Sequence, residues 1–318
     1  MKRFTHLLLL ALLFSFSAQL QAKSEKSLPK KYTKVLKAKG KRPIKILAIG
    51  NSFSEDAIEN YLFEIAEAEG VQLIIGNMYI GGCSLERHWK NITNDAAAYN
   101  YRKVGLDGKL TKEPNKTILS ALADEEWDFV SIQQVSSLSG IYNSYTDLLP
   151  QIMNFLYDHL DKNRVNFLLH QTWAYAKDSK HKGFAKYNNN QFEMYAAIIT
   201  ATKQAAEDNN IPTIIPVGTA IQNGRTTAVG DNFCRDGYHL DLNIGRFTAA
   251  CTWYAQLFQV DATSLKYKPE KLSEYDAEVA KAAAQAAVRS PFNITILKAF
   301  QAEREQLTAL LLKQASCF

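Results

Sequence analysis

A chain of 318 residues suits one large domain or two small ones. Its 37 Lys and Arg exceed its 32 Asp and Glu, but residues 1–45 hold 12 of those bases and a single acid, Glu25. From residue 46 onward 25 bases face 31 acids, so the positive charge belongs to a leader, and a basic nucleic-acid-binding face is excluded as its explanation. Residues 1–22 read as a secretory signal. Lys2 and Arg3 precede an apolar run over 7–16 that is too short to span a bilayer, and Ala22 suits the last residue of a cleaved leader. A retained anchor is the alternative. No later stretch is apolar enough for a membrane helix, so the expectation is an exported chain, periplasmic or extracellular, without stable membrane insertion. Residues 23–41 carry eight lysines and read as a solvated tether, giving a basic linker over 23–43 and a domain over 44–318.

Apolar runs then alternate with helical patterns. Strands are expected over 44–49, 71–79, 127–133, 165–170 and 212–217. Helices are expected over 57–69, 118–123, 144–160, 188–209, 243–258, 277–287 and 294–313. Short buried strands separated by helices predict the α/β class: a three-layer α/β/α sandwich around a central parallel five-stranded sheet. Ligands of such sheets bind beyond the carboxyl ends of the strands. The segments to inspect are therefore 51–52, 81–84, 133–136, 170–173 and 218–219, which are rich in polar and small residues.

Ser52 stands where the first strand runs into a helix. A serine hydroxyl becomes a nucleophile only with a base to take its proton and a group to orient that base. Asp236 and His239, three apart in a glycine-containing turn, suit those two roles. Each half alone also has a structural reading: a helix cap for Ser52 and a locally bonded loop for His239. Ser54, followed by Glu55 and Asp56, is the better cap and frees Ser52. Gly81 and Gly82 offer backbone N–H groups to an oxyanion, and Gln133 or Gln134 a side-chain amide. No GxGxxG, Walker A or metal-ligand spacing occurs, so no cofactor or metal is expected. Cys83, Cys234, Cys251 and Cys317 lack ligand spacing. Buried or incidental thiols are the favoured reading, with Cys83 and Cys234 the pair to check for a bridge.

These segments resemble a known superfamily. Gly50-Asn51-Ser52-Phe53-Ser54 is similar to the first block of the SGNH (GDSL-like) hydrolases, Gly82-Cys83-Ser84 to the second, and Asp236-Gly237-Tyr238-His239 to the final Asp-x-x-His block. The agreement spans roughly residues 44–258. More narrowly the chain resembles a group of bacterial exported proteins whose domain is of unknown function, through 50–55, 79–88, 127–134, 170–175, 218–225 and 236–240. The resemblance implies a flavodoxin-like fold and ester hydrolysis through an acyl-serine. Ser52, Asp236 and His239 would be catalytic, and the N–H groups of Ser52 and Gly82 would hold the oxyanion. One block departs. Where the superfamily carries Gly-x-Asn-Asp, with its Asn an oxyanion donor, this chain reads Gln133-Gln134-Val135-Ser136-Ser137. Gln134 is the expected replacement; strand register leaves Gln133, Ser136 and Ser137 open.

Export, the resemblance and the aromatics Trp89, Trp173, Tyr175 and Tyr238 point to a carbohydrate ester, with O-acetyl as the acyl group. His170, Gln171, Trp173 and Arg225 are the expected substrate contacts. Two rival readings are an SGNH-fold glycan-binding module with weak or absent catalysis, and a lipid esterase or thioesterase.

Overall fold

The computed structural model describes residues 28–301. The leader expected over 1–22, Cys317 and most of the helix expected over 294–313 lie outside the described residues. Aliphatic runs form β1 (Ile44–Gly50), β2 (Leu73–Tyr79), β5 (Phe129–Ile132), β6 (Asn166–His170) and β7 (Thr213–Ile215), which pair in parallel. Two further strands, β3 (Tyr99–Val104) and β4 (Leu110–Lys116), add antiparallel to the β2 edge. The sheet therefore has seven strands in the order β4-β3-β2-β1-β5-β6-β7, and five strands was an undercount. The cause is local. In β4 nearly every side chain is exposed and Pro114 interrupts the ladder donors, so the strand carries no apolar alternation to read.

The helices are α1 (Lys30–Ala38), α2 (Ser52–Ile58), α3 (Leu62–Ala68), α4 (Leu85–Thr93), α5 (Ile118–Asp124), α6 (Leu148–His159), α7 (Gln191–Asp208), α8 (Val217–Gly224), α9 (Ile244–Phe258) and α10 (Glu274–Arg289). Strand alternation separates two cores. Ile44, Ile46 and Ala48 pack with residues of α1, α2, α3 and α9, while Leu47 and Ile49 pack with residues of α4, α5 and α6. This is the three-layer arrangement. Among the parallel strands the spatial order is second, first, third, fourth, fifth. The winding reverses between β1 and β5, so the crevice for a ligand opens at the end of β1.

Two segments differ from expectation. The helix expected over 57–69 is two helices, broken where Tyr61 takes a left-handed backbone (φ 66°). The stretch expected to be a solvated tether contains α1, which packs on the domain. Tyr32 is fully buried, its hydroxyl donating to Gln256 O at 2.8 Å and to Leu257 O at 3.0 Å, and Val35 is buried beside it. No helix among the described residues is long and apolar enough to cross a membrane.

Candidate active site

The turn after β1 is organised by Asn51. It caps α2, its Oδ1 accepting from Phe53 N–H at 2.9 Å, while its Nδ2 donates to Cys83 O at 3.0 Å. The cap is thus Asn51 and not Ser54. Ser54 Oγ is buried, 2.7 Å from Asn51 O and 2.9 Å from Asn77 Oδ1. Gly50 is required by close approach, since a Cβ there would lie 2.4 Å from Ser54 Oγ. With the cap supplied by its neighbour, Ser52 occupies the first helical position with its hydroxyl free for other work.

That hydroxyl meets His239. Ser52 Oγ lies 2.9 Å from His239 Nε2, and His239 Nδ1 lies 2.7 Å from Asp236 Oδ2. A carboxylate only accepts, so Nδ1 carries the ring proton and Nε2 is left as the acceptor for Ser52. Asp236 Oδ1 also accepts the backbone N–H of His239 at 2.8 Å and of Tyr238 at 3.2 Å. Partial burial pushes the Asp236 carboxyl upward, but its hydrogen bonds to the His239 ring and to these N–H groups outweigh it, and the net direction is down. The structure thus joins the three residues expected to be catalytic.

The Asp236–His239 loop is fastened to the nucleophile's helix. Asp56, one turn beyond Ser52 and fully buried, accepts from Leu240 N–H at 2.8 Å, from Arg235 Nη1 at 3.0 Å, and from Arg246 Nε at 2.9 Å. Arg235 also donates to Leu240 O. Trp173 secures the other side: it stacks on Phe53 with ring centroids 4.1 Å apart, and its Nε1 donates to Tyr238 O at 2.7 Å. Sequence reading passed over Asp56, Arg235 and Arg246. The one local signal was that Arg235 directly precedes the Asp-x-x-His block.

Ser52 and His239 open into a cavity of about 400 Å³. Its walls include Gly81 and Gly82 from the loop after β2, Val135 and Ser136 from the loop after β5, and Glu55, Tyr79, His181, Arg235 and Tyr238. Gly82 has φ 61°, a left-handed conformation that glycine adopts without strain. Among the described residues neither the Ser52 N–H nor the Gly82 N–H has a protein acceptor. His181 was not anticipated. Its Nδ1 accepts from Gly183 N–H at 3.0 Å, which places the neutral ring's proton on Nε2, and burial followed by proximity to His239 lowers its pKa.

Gln134 does not serve as the oxyanion donor. Its Oε1 accepts from Leu85 and Val135 N–H, both at 2.9 Å, and its Nε2 donates to Ser144 Oγ at 3.0 Å and Ser144 O at 3.1 Å, so the amide is spent on the scaffold. The four expected substrate contacts are also internal. His170 Nδ1 donates to Gln133 Oε1 at 2.7 Å, and burial pushes its pKa down to about 3. Gln171 is fully buried and bonds Thr219 and Pro291 O. Trp173 lies beneath the loop it supports. Arg225 is held by Asp231 at 2.7 Å and donates to Gln222 and Ala174 O. His170 closes β6, Gln171 and Trp173 follow it, and Arg225 ends α8; none of the four lines the cavity. Of the four aromatics that pointed to a carbohydrate ester, Tyr238 lines the cavity. Cys83, Cys234 and Cys251 are free thiols. Among the described residues no cluster of three or more potential metal ligands occurs.

A family described as "Domain of unknown function (DUF4886)" matches residues 45–287. Among solved structures, a DUF4886 family protein from Bacteroides uniformis is 52% identical, with 82% of this chain and 100% of that chain covered and a TM-score of 0.81. A putative SGNH hydrolase from Slackia heliotrinireducens is 18% identical, with 68% and 100% covered and a TM-score of 0.47. An acetylxylan esterase from Geobacillus stearothermophilus is 11% identical, with 72% and 97% covered and a TM-score of 0.46. No curated protein matches.

Proposed function

The chain belongs to the DUF4886 family, and from the geometry of its site we propose that it is a serine hydrolase cleaving an ester through an acyl-Ser52 intermediate. The observation that carries this reading is His239, which bridges Ser52 Oγ at 2.9 Å and Asp236 at 2.7 Å through its two ring nitrogens. Ser52 Oγ attacks the ester carbonyl carbon as its proton passes to His239 Nε2. Asp236 holds the ring in the tautomer that accepts and stabilises the imidazolium that forms. The carbonyl oxygen, now negative, is received by the N–H groups of Ser52 and Gly82. His239 returns the proton to the departing alkoxide. Water, deprotonated by the same ring, then releases the acyl group and restores Ser52.

The polar side chains on the cavity wall, Glu55, Tyr79, His181, Arg235 and Tyr238 around the nucleophile, support a polyhydroxylated alcohol as the leaving group, and the acyl group we propose is acetyl. They speak against the lipid esterase reading, which needs a wide apolar groove. A basic, apolar leader supports export, where glycan esters are met. The committed amide of Gln134 is the one feature that favours the glycan-binding module, because it leaves the oxyanion one donor short.

The test compares the wild type with Ser52→Ala on a chromogenic acetyl ester and with a fluorophosphonate probe. We expect turnover and covalent labelling of the wild type, and loss of activity on the order of 10³-fold or more without labelling in the variant. Equal activity in the two proteins would end the proposal, and glycan binding without labelling would favour the module.

A further inference from the structure

A serine hydroxyl at the wall of the cavity shares one hydrogen bond with a tyrosine hydroxyl buried behind it. Ser136 Oγ and Tyr175 Oη lie 2.8 Å apart, and among the described residues neither has another hydrogen-bond partner. Each hydroxyl carries one proton, so a single bond between them uses one proton of the two. Burial decides which. Tyr175 is fully buried, whereas Ser136 is 5% exposed and lines the cavity shared by Ser52, Gly82 and His239. If Ser136 donated, the tyrosine proton would be shut inside the protein without an acceptor, the costlier arrangement. Tyr175 therefore donates to Ser136, and the Ser136 proton is left for the cavity. Burial also pushes the Tyr175 hydroxyl above its ordinary pKa, so it remains a donor. A hydroxyl that accepts one such bond becomes a stronger donor itself.

The topology brings that hydroxyl to the cavity of the nucleophile. β2, β1 and β5 are neighbours in the sheet, and Gly82, Ser52 and Ser136 each lie in the segment that follows one of them. The nucleophile is flanked by Gly82 on one side and Ser136 on the other. Resting on the hydrolase reading above, we propose that the Ser136 hydroxyl is the third oxyanion donor, in place of the side-chain amide that Gln134 withholds, with Tyr175 as its positioning residue. In the acylation step Ser52 Oγ bonds to the carbonyl carbon and the π pair of the C=O bond moves onto oxygen. The Ser52 proton goes to His239, and Ser136 donates a hydrogen bond to that oxygen while keeping its own proton.

The experiment measures kcat and KM on a chromogenic acetyl ester for Ser136→Ala, Tyr175→Phe and the double variant, with the wild type and Ser52→Ala alongside. Ser136→Ala keeps the backbone N–H and isolates the hydroxyl. It lowers kcat by about 10²-fold while KM stays within about 3-fold, the signature of a contact made in the transition state. Because this variant strands the buried Tyr175 hydroxyl, the double variant is the control for a merely structural effect: removing both partners relieves the unpaired group. The kcat loss persists in the double variant and is smaller in Tyr175→Phe, where the serine proton remains. A Ser136→Ala kcat within about 2-fold of wild type, or recovery of wild-type kcat in the double variant, overturns the role of Ser136 and leaves the hydrolase intact. A wild type that neither turns over the ester nor labels at Ser52 overturns both.

Discussion

Asn51 ties three strand ends together with one amide. Besides capping α2 and holding Cys83 O, its Oδ1 accepts Gln133 Nε2 at 2.8 Å, and Gln133 in turn holds His170. The chain of polar groups is buried throughout and nearly satisfied, which fixes the floor of the site. Glu59, at the end of α2, is a shielded carboxyl close to this chain of polar groups. Burial is the largest influence on it and raises its pKa from 4.5 to about 7, against the pull of Arg102 at 2.8 Å and of Asn77. The folded protein therefore binds this proton more tightly than the unfolded chain does. Its contribution to stability is complete below about pH 4.5 and is lost as pH rises through about 7. Glu59→Gln keeps an acceptor for Asn77 and cannot ionise. Across that window the wild-type Tm should fall relative to the Tm of the variant, measured by thermal denaturation in matched buffers; parallel curves would remove Glu59 as the cause. At this scale the triad was legible because its chemistry demands three residue types in a recognisable order. The fate of Gln134 was not. Strand periodicity stops with β5 at Ile132, and the chain enters a 3-10 turn at Ser136, so side-chain direction beyond the strand cannot be counted from sequence.

The short helix α2 carries both the nucleophile and the anchor of its base. Ser52 opens its first turn and Asp56 lies in the next, where the two arginines and the Leu240 N–H converge on one carboxylate. Arg235 and Arg246 stand 179 and 190 residues further along the chain, which is why sequence reading took Asp56 only for an acidic residue near a helix start. Hydrophobic pattern likewise ran α2 and α3 together, because the apolar face continues across the break and the left-handed Tyr61 leaves no mark in the period. The geometry has a mechanical consequence. Removing the Asp56 carboxylate strands two guanidinium groups that are mostly shielded from solvent and frees the loop bearing Asp236 and His239. Asp56→Ala should destabilise the fold by about 3 kcal/mol or more, since breaking a buried pair from one side leaves the partner uncompensated. It should also lower kcat at temperatures where the variant is still folded, while Asp56→Asn, which keeps the shape and an acceptor, should lose less of both. Denaturant titration and kinetics below the transition read the two effects; a folded Asp56→Ala enzyme with wild-type kcat would show that the loop holds its place without this clamp.

For the molecule as a whole, the parallel sheet and its winding were legible because buried strands and helices alternate with clear periods, whereas the two antiparallel strands β3 and β4 and the amino-terminal helix were masked by charge. The segment Lys30–Ala38 is crowded with lysine, yet Tyr32, Val35 and Leu36 recur at the spacing of one helical face. That face docks on α9 through Tyr32, while Lys31 Nζ donates to Val165 O at 2.7 Å and Lys162 O at 2.9 Å ahead of β6. Just beyond α1, Arg42 grips Asp128 at 2.7 and 2.8 Å before β5. The basic stretch thus binds three parts of the domain that are distant in sequence, and α1 is docked rather than solvated. A solvated tether and a docked helix differ in how proteases see them, since cleavage needs the backbone to leave its helix. Trypsin should cut slowly between residues 30 and 42 in the wild type despite the density of lysines there. Tyr32→Ala removes the buried ring and both hydroxyl bonds, and should cost about 3–5 kcal/mol, as large-to-small changes of aromatic core residues do. In that variant the same lysines should become fast sites, while the Ser52–His239–Asp236 geometry, which α1 does not touch, should leave kcat per folded molecule unchanged. Equal cutting rates in both proteins, at the speed of an unstructured peptide, would return this stretch to the role of a tether.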